Sequence, residues 1–329
     1  MVSIIIVSFN TRELTRKCLE SIGKFEDLEN LEVIVVDNGS SDGSVEMVSQ
    51  MINKSNDQQS NKATSKQKNI KNLIRKKLRN GTTSKRNIAI TTILNNENLG
   101  FAKANNQGIK LAMVQGTTTE PAIDYVLLLN SDTEFKEKET IEKLVKAAEN
   151  LPNVGAVVPR LLNTDGSVQE SVFRLPTVWG AVKQYWLGRM REFGSYVPDN
   201  YSKFKVTPPS PPLSGGGLLR GVIEVESAVM AAMLIPRSTI EKIGLLDEGY
   251  HMYFEDLDYC RRMKQAGLKA YYAPEVEVVH HHGASGKKVA EDKDQWRRLI
   301  PGSKRYHGWL KHWVLHWVLW VGQRVLGRV

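Results

Sequence analysis

Two short runs of apolar, largely β-branched residues, Ile4-Ile5-Ile6-Val7 within 2–7 and Val33-Ile34-Val35-Val36, constrain this 329-residue chain more than any other feature. Neither run alternates polar with apolar, so a strand built from either is apolar on both faces. Such strands need cover on both sides, which is the situation of a parallel sheet layered between helices. Between the runs, Leu14, Cys18, Leu19 and Ile22 recur at three- and four-residue spacing before Gly23, the pattern of a helix with one buried face. The second run ends in the turn-forming stretch Asp37-Asn38-Gly39-Ser40-Ser41-Asp42-Gly43, and a further helix is expected from about Ser44. No basic leader or cleavage site precedes the first run, so it reads as a buried strand and not as a signal peptide.

The same alternation of strand and helix continues along the chain. Strands are expected over 88–94, 125–129 and 154–158, helices over 102–113, 139–150 and 256–265, and further order over 222–235 and the apolar stretch 271–279. The fold class is therefore α/β, a central, mostly parallel sheet flanked by helices. With 41% hydrophobic residues, the chain can fill one large core or two modest ones. Two cysteines, Cys18 and Cys260, exclude a disulfide framework, and neither belongs to a Cys-x-x-Cys pair, so a structural zinc site is not expected either. Cys18 falls on the buried face of its helix, and a reducing compartment is the default.

Two segments break the pattern. Residues 53–87 are rich in Asn, Lys, Ser, Gln and Thr. Their few large apolar residues, Ile70, Leu73, Ile74 and Leu78, have helical spacing, which predicts a short basic amphipathic helix inside a mobile insertion. Residues 199–220, with Pro208-Pro209-Ser210-Pro211-Pro212 and Gly215-Gly216-Gly217, read as a long loop: a lid, a binding loop or disorder. The net charge of +9 is concentrated in such places. The stretch 53–87 holds 11 Lys or Arg against one acid, and 297–329 holds seven against none, so the remaining residues carry a net −8. An acidic body with basic appendages suits contact with a polyanionic surface better than a nucleic-acid groove, and nucleic acid is not the expected partner.

In an open parallel sheet ligands bind at the carboxyl ends of the strands. The polar residues there are Ser8 and Asn10, Asp37 and Asn38, and Asn130-Ser131-Asp132. No Gly-x-Gly-x-x-Gly follows the first strand and no Gly-Lys-Ser/Thr occurs, so a phosphate must be held by other means. Oxygens at i and i+2 of an extended segment, as in Asn130 and Asp132, point to one side and can share a hard cation that clamps a diphosphate. Alternatively, Asp132 or Thr133 caps the following helix. A second acidic cluster, Glu255-Asp256-Leu257-Asp258 behind Tyr253-Phe254, sits where a helix begins. It reads either as a well-capped N-terminus or as a site holding a general base for a hydroxyl nucleophile. His280-His281-His282 follows an apolar run, and one of the three is a candidate metal ligand.

The blocks Val2–Asn10, Val35–Gly43, Asn98–Gly108 (NLGFAKANNQG), Leu128–Thr133 (LLNSDT), Leu246-Asp247-Glu248, Tyr253–Asp258 and the His280 segment stand in an order similar to glycosyltransferase family 2, and most resemble its rhamnosyltransferase-like, WbbL-type branch. The resemblance implies a GT-A fold and an inverting transfer from a nucleotide-diphosphate sugar, dTDP-rhamnose in this branch. It implies that Ser8, Asn10, Asp37, Asn98, Gly100, Lys103, Asn105, Asn130 and Ser131 line the donor site. It further implies that Asp132 and His280 hold Mg²⁺ or Mn²⁺, that Asp256 with Glu255 forms the catalytic pair with Asp256 as general base, and that Asp247, Glu248 and Met230 face the acceptor. Asn130 replaces the first acid of the family's Asp-x-Asp, so the metal rests chiefly on Asp132. Met230 stands where many members have glycine, and the insertion at 53–87 has no counterpart in the family. Within the same fold another donor, such as a UDP-hexose, is an alternative, as is a non-catalytic protein that binds nucleotide sugar or membrane.

The C-terminal segment carries Trp309, Trp313, Trp317 and Trp320 at helical spacing, interrupted by Lys311, His312 and His316. A spanning helix needs about 20 mostly apolar residues, whereas tryptophan with interspersed basic residues favours the headgroup plane. The expected organisation is a glycosyltransferase domain at 1–290 and a membrane-associating tail at 291–329, placing the protein in the cytoplasm on the inner face of the cell membrane, near a lipid-linked or polysaccharide acceptor. A tail helix packed on the domain or in a dimer is the alternative.

Overall fold

The computed structural model describes residues 1–27, 30–54, 73–79, 87–114, 122–187, 195–196, 221–281 and 295–324. The chain opens with β1 (Val2–Ser8), α1 (Arg12–Phe25), β2 (Leu31–Asp37), α2 (Ser44–Lys54), β3 (Leu73–Arg79), β4 (Asn87–Leu94), α3 (Phe101–Val114) and β5 (Tyr125–Asn130). It continues through β6 (Thr133–Phe135), α4 (Thr140–Glu149), β7 (Val154–Leu162), β8 (Val172–Phe173), α5 (Val178–Tyr185), β9 (Ser195–Tyr196), β10 (Ile223–Val225), β11 (Ser227–Ala228) and β12 (Ala232–Pro236). The last elements are α6 (Arg237–Ile243), α7 (Glu255–Gln265), β13 (Lys269–His280), α8 (Gln295–His307) and α9 (Trp309–Arg324).

Ten strands form one sheet in the order β10-β13-β7-β12-β5-β1-β2-β4-β3, with β6 pairing β13 off this path. The strands β1, β2, β4, β5, β7 and β13 run one way, and β3, β6, β10 and β12 run the other. The apolar runs behave as both-face strands should. Ile4 and Ile6 join the layer that includes α1, α2 and α4, whereas Ile5 joins the layer that includes α3, α6 and α7, and all three are fully buried. Cys18 and Cys260 are buried free thiols in these two layers.

The basic amphipathic helix expected around 70–78 is corrected by the structure. Residues 73–79 form β3, paired antiparallel with β4 from Leu73↔Ile93 to Arg79↔Asn87. Four apolar positions at helical spacing do not outweigh a row of backbone donors and acceptors on β4 that would otherwise lie unpaired. The composition LIRKKLR also suits an edge, where charge discourages further pairing. The loop assigned to 199–220 lies outside the described residues.

The C-terminal helices lie against the sheet domain. Arg305 of α8 makes two 2.8 Å hydrogen bonds to Asp247, and Arg261 of α7 donates to the Tyr306 carbonyl at 2.8 Å with its guanidinium 4.0 Å from the Tyr306 ring centroid. Leu315 and Val318 of α9 pack with Ala181 of α5. Gly322 permits that approach, because a Cβ there would lie 2.5 Å from the Tyr185 Cβ.

Candidate active site

The register of the parallel block sets the site. Ser8 pairs with Asp37, Asp37 with Leu94 and Val7 with Asn130, so the strands end level with one another and their loops gather at one edge. Ser8 is buried and its hydroxyl shares a cluster with Thr11 at 3.2 Å and Thr15 at 3.0 Å, which Ser131 joins through Thr11 at 2.9 Å. Asn10 adopts a positive φ of 54°, and its side-chain oxygen accepts the Ser41 N–H at 2.8 Å, tying the loop after β1 to the loop after β2. Asp37 accepts the Ser40 N–H at 2.9 Å through Oδ1, whereas its buried Oδ2 has no hydrogen-bond partner among the described residues. A cavity of about 10 Å³ beside it, lined by Ser8, Ser44 and Thr92, has room for no more than a water.

Asn38 organises the next loop. Its amide donates to Asn98 Oδ1 at 2.9 Å, and its oxygen accepts from Asn95 Nδ2 and the Leu99 N–H, each at 3.1 Å. Asn98 also receives the Gly100 N–H at 2.9 Å. Gly100 has φ +84° and a Cβ there would sit 2.6 Å from the His251 carbonyl oxygen, which itself accepts the Phe101 N–H at 3.0 Å. The glycine thus lets the loop after β4 touch the loop before α7. Lys103 is exposed. Asn105 is buried with its amide turned back to the Phe101 carbonyl at 3.0 Å, so the structure gives it a helix-internal partner. Its neighbour Asn106, inside the 98–108 block, clamps the loop before α7 by accepting the Leu246 N–H and donating to the Leu246 carbonyl and Glu248.

At the end of β5 the Asn130-Ser131-Asp132 segment meets the end of β13. Buried Asp132 lies with Oδ1 3.4 Å from His280 Nε2, and Asn130 Nδ2 lies 3.5 Å from the same nitrogen. His280 Nδ1 is 2.7 Å from Gln169 Oε1. Donation of Nδ1–H to that oxygen leaves the Nε2 lone pair facing Asp132 and Asn130, as a metal-ligating imidazole requires. The next residue alternates to the other side: His281 pairs with Glu134 at 2.8 Å. Burial alone would raise the Glu134 carboxyl, but hydrogen bonds from Lys136 and His281 bring it below the usual range. His282 lies outside the described residues. No group of three or more His, Cys, Asp or Glu residues able to hold a metal occurs among the described residues. One carboxylate and one imidazole nonetheless fit a hard divalent cation that takes its other oxygens from phosphates and water.

The acidic cluster separates into two roles. Asp258 is buried and held by Arg261 at 2.6 Å and Arg262 at 2.8 Å, a structural ion pair. Glu255 and Asp256 have no such partner among the described residues. Burial pushes both carboxyls above the ordinary range, and the Asp256 charge raises Glu255 further. Glu255 Oε2 is buried without a hydrogen-bond partner among the described residues, while Asp256 Oδ1 accepts the Leu257 N–H at 2.7 Å. The two residues before them, Tyr253 and Phe254, have φ values of 69° and 71°, a left-handed pair that costs energy for bulky side chains and is concentrated at functional sites. Glu255 and Asp256 line a cavity of about 600 Å³ together with Phe173 and residues of α8 and α9. Phe173 is four residues from Gln169, so a span of at most about 14 Å of chain links the cavity wall to the residue that orients His280.

The residues expected on the acceptor side fare differently. Asp247 is engaged by Arg305 and by the Gly249 N–H, and the Arg305 hydrogen bonds lower its carboxyl from the usual value. Glu248 is engaged by Asn106, with Lys110 at 3.5 Å. Met230 is buried in the layer that includes α3 and α7.

Carboxylate, imidazole and amide groups gathered beyond the strand ends define an α/β protein of the class that binds its ligand at that edge. Residues 3–206 match the model for glycosyl transferase family 2, and the chain belongs to that family. The chain is 31% identical over 195 residues to the N-acetylglucosaminyl-diphospho-decaprenol L-rhamnosyltransferase of Mycobacterium tuberculosis, a match covering 57% of each protein. It is 25% identical over 186 residues to the rhamnosyltransferase WbbL of Escherichia coli, covering 56% of this chain and 62% of that one. The matches thus span a little over half the length of these relatives. Among solved structures, GalNAc-T7 with UDP, GalNAc and Mn²⁺ superposes with a TM-score of 0.55 at 14% identity over 85% of this chain and 43% of that chain. The mannosyltransferase PcManGT from Pyrobaculum calidifontis, in complex with GDP-Man and Mn²⁺, gives 0.53 at 16% identity over 99% of this chain and 74% of that one. The fold is accordingly GT-A.

Proposed function

We propose that the chain is an inverting glycosyltransferase that moves rhamnose from dTDP-rhamnose to a lipid-linked or polysaccharide acceptor in cell-envelope glycan synthesis, working at the inner face of the cell membrane. The observation that carries the reading is the meeting of Asp132 and His280 at 3.4 Å, with the imidazole oriented by Gln169. Asp132 and His280 would hold Mg²⁺ or Mn²⁺, which supplies compensation for negative charge on the leaving diphosphate. Asp37, at the carboxyl end of β2, is the residue we assign to an N–H of a pyrimidine base. Asp256 takes the acceptor hydroxyl proton, and its raised carboxyl suits a base working near neutral pH. A single displacement with the base opposite the leaving group inverts the anomeric centre, so no covalent nucleophile is required.

The rhamnosyl donor is supported by the relatives' names and by the order of the family blocks. Turnover of a panel of nucleotide sugars, with divalent metal omitted and restored, tests the reading. Metal-dependent consumption of dTDP-rhamnose ahead of UDP-hexoses is the expected result. Preference for a UDP-hexose would change the donor, and failure of every nucleotide sugar to bind would remove the enzymatic reading.

A further inference from the structure

We propose that the cavity enclosed by α7, α8 and α9 is the binding site for the chain carbons of a lipid-linked acceptor, with the acceptor sugar at its inner, acidic end. The inference rests on the transferase reading above and adds where the acceptor lies and which elements hold it. The cavity has about 600 Å³, within the roughly 300–1,000 Å³ of small-molecule sites. Its wall is apolar from both sides: Phe173 and Phe254 from the sheet domain, and Leu299, Ile300, Leu315 and Leu319 from the two C-terminal helices.

Among its polar lining groups, Ser303 and His312 are hydrogen-bonded to each other at 2.8 Å, whereas two others have no such partner. Glu255 Oε2 and His307 Nε2 are both buried, both belong to residues lining the cavity, and both have no hydrogen-bond partner among the described residues. Leaving such atoms unpaired is costly, and a sugar hydroxyl, which donates and accepts, suits both a carboxylate oxygen and an imidazole nitrogen. Asp256, the proposed base, is a third lining residue. At the other end Trp320 lines the cavity while remaining 48% exposed, so the cavity reaches the same outer surface as Trp313 and Trp317. An amphiphile with its sugar inward and its chain directed toward that apolar surface matches this polarity.

Photolabelling of the full chain with a long-chain alkyl glycoside carrying a diazirine tests the inference, with titration of nucleotide sugar run in parallel. Labels are expected on residues 253–257 and 299–323, and they should be competed by an unlabelled long-chain glycoside and not by the methyl glycoside. Leu319→Trp, which fills the cavity, should weaken labelling on the order of tenfold, the effect of excluding a few methylene groups from an apolar site. Val314→Trp, on the exposed side of the same helix, should leave it unchanged. Labelling confined to the outer tryptophans, indifference to Leu319→Trp, or equal competition by the methyl glycoside would overturn the inference. Donor binding with no cavity labelling defeats this inference alone, whereas loss of donor binding in the wild-type chain defeats the transferase reading itself.

Discussion

At the scale of single residues, neighbours in the sequence have divergent roles because a strand turns alternate side chains to opposite faces. His280 and His281 are equivalent to a reader of the chain, yet one faces Asp132 and the other Glu134. Glu255, Asp256 and Asp258 form one acidic block in the sequence, yet two arginines neutralise only the last. Gln169 carries no motif at all, and only its contact with His280 reveals it. Replacing Gln169 with Ala should lower Mn²⁺ affinity by about 10- to 100-fold, the usual cost of losing an outer hydrogen bond to a ligating histidine, as read by direct metal titration. Asp256→Asn should reduce turnover by about 10²- to 10⁴-fold, the range for losing a general base, with nucleotide-sugar binding retained. Since burial raises the Asp256 carboxyl, activity should fall on acidification at a pH above that of an ordinary carboxylate. A wild-type acid limb as low as a solvent-exposed aspartate's would contradict the assignment.

At the scale of elements, helix α4 illustrates a cap supplied from a distance. Glu26, at the end of α1, accepts the Thr140 N–H at 2.9 Å and the Ile141 N–H at 3.3 Å at the helix start. Burial pushes its carboxyl up to about 7 despite those hydrogen bonds. The folded chain therefore holds a proton that the unfolded chain releases near the ordinary glutamate value of 4.5, and stability contributed at this position falls as pH rises between those values. Glu26→Gln should flatten that part of the pH profile in urea unfolding; an unchanged slope would assign it elsewhere. Helix α9 depends on close approach at Gly322, so Gly322→Leu should loosen it from α5 and raise hydrogen exchange over 309–324. The β3 segment carries the opposite lesson. Its apolar spacing was compatible with a helix, but an open sheet edge next to it decided the outcome through backbone pairing.

At the scale of the whole molecule, α9 joins the sheet domain to an apolar outer surface. It buries Leu315 and Val318 against α5 and leaves Trp309, Trp313, Trp317 and Trp320 exposed at 69%, 45%, 55% and 48%. No helix among the described residues is long and apolar enough to cross a membrane. A row of half-exposed tryptophans with basic neighbours is suited to the headgroup layer. Replacing Trp313 and Trp317 together with Ala should weaken binding to anionic vesicles by about tenfold or more, from the apolar area withdrawn. Added salt should weaken the wild type through the seven basic residues of 297–329. Equal partitioning of wild type and double variant in vesicle sedimentation would remove the tail from the membrane contact.

The sequence by itself determined the covered sheet, the helices α1 to α4 and α7, and the polar residues beyond the parallel strands, because these follow from periodicity and turn chemistry within a few residues. It also carried the family blocks that name the chemistry. Which of those residues meet was decided only by the tertiary structure. His280 finds Asp132 and Gln169 across 148 and 111 positions, and α8 and α9 return to wall off the acidic pair. Such pairings depend on strand register and on packing between distant elements, and neither is expressed in any local pattern of the chain.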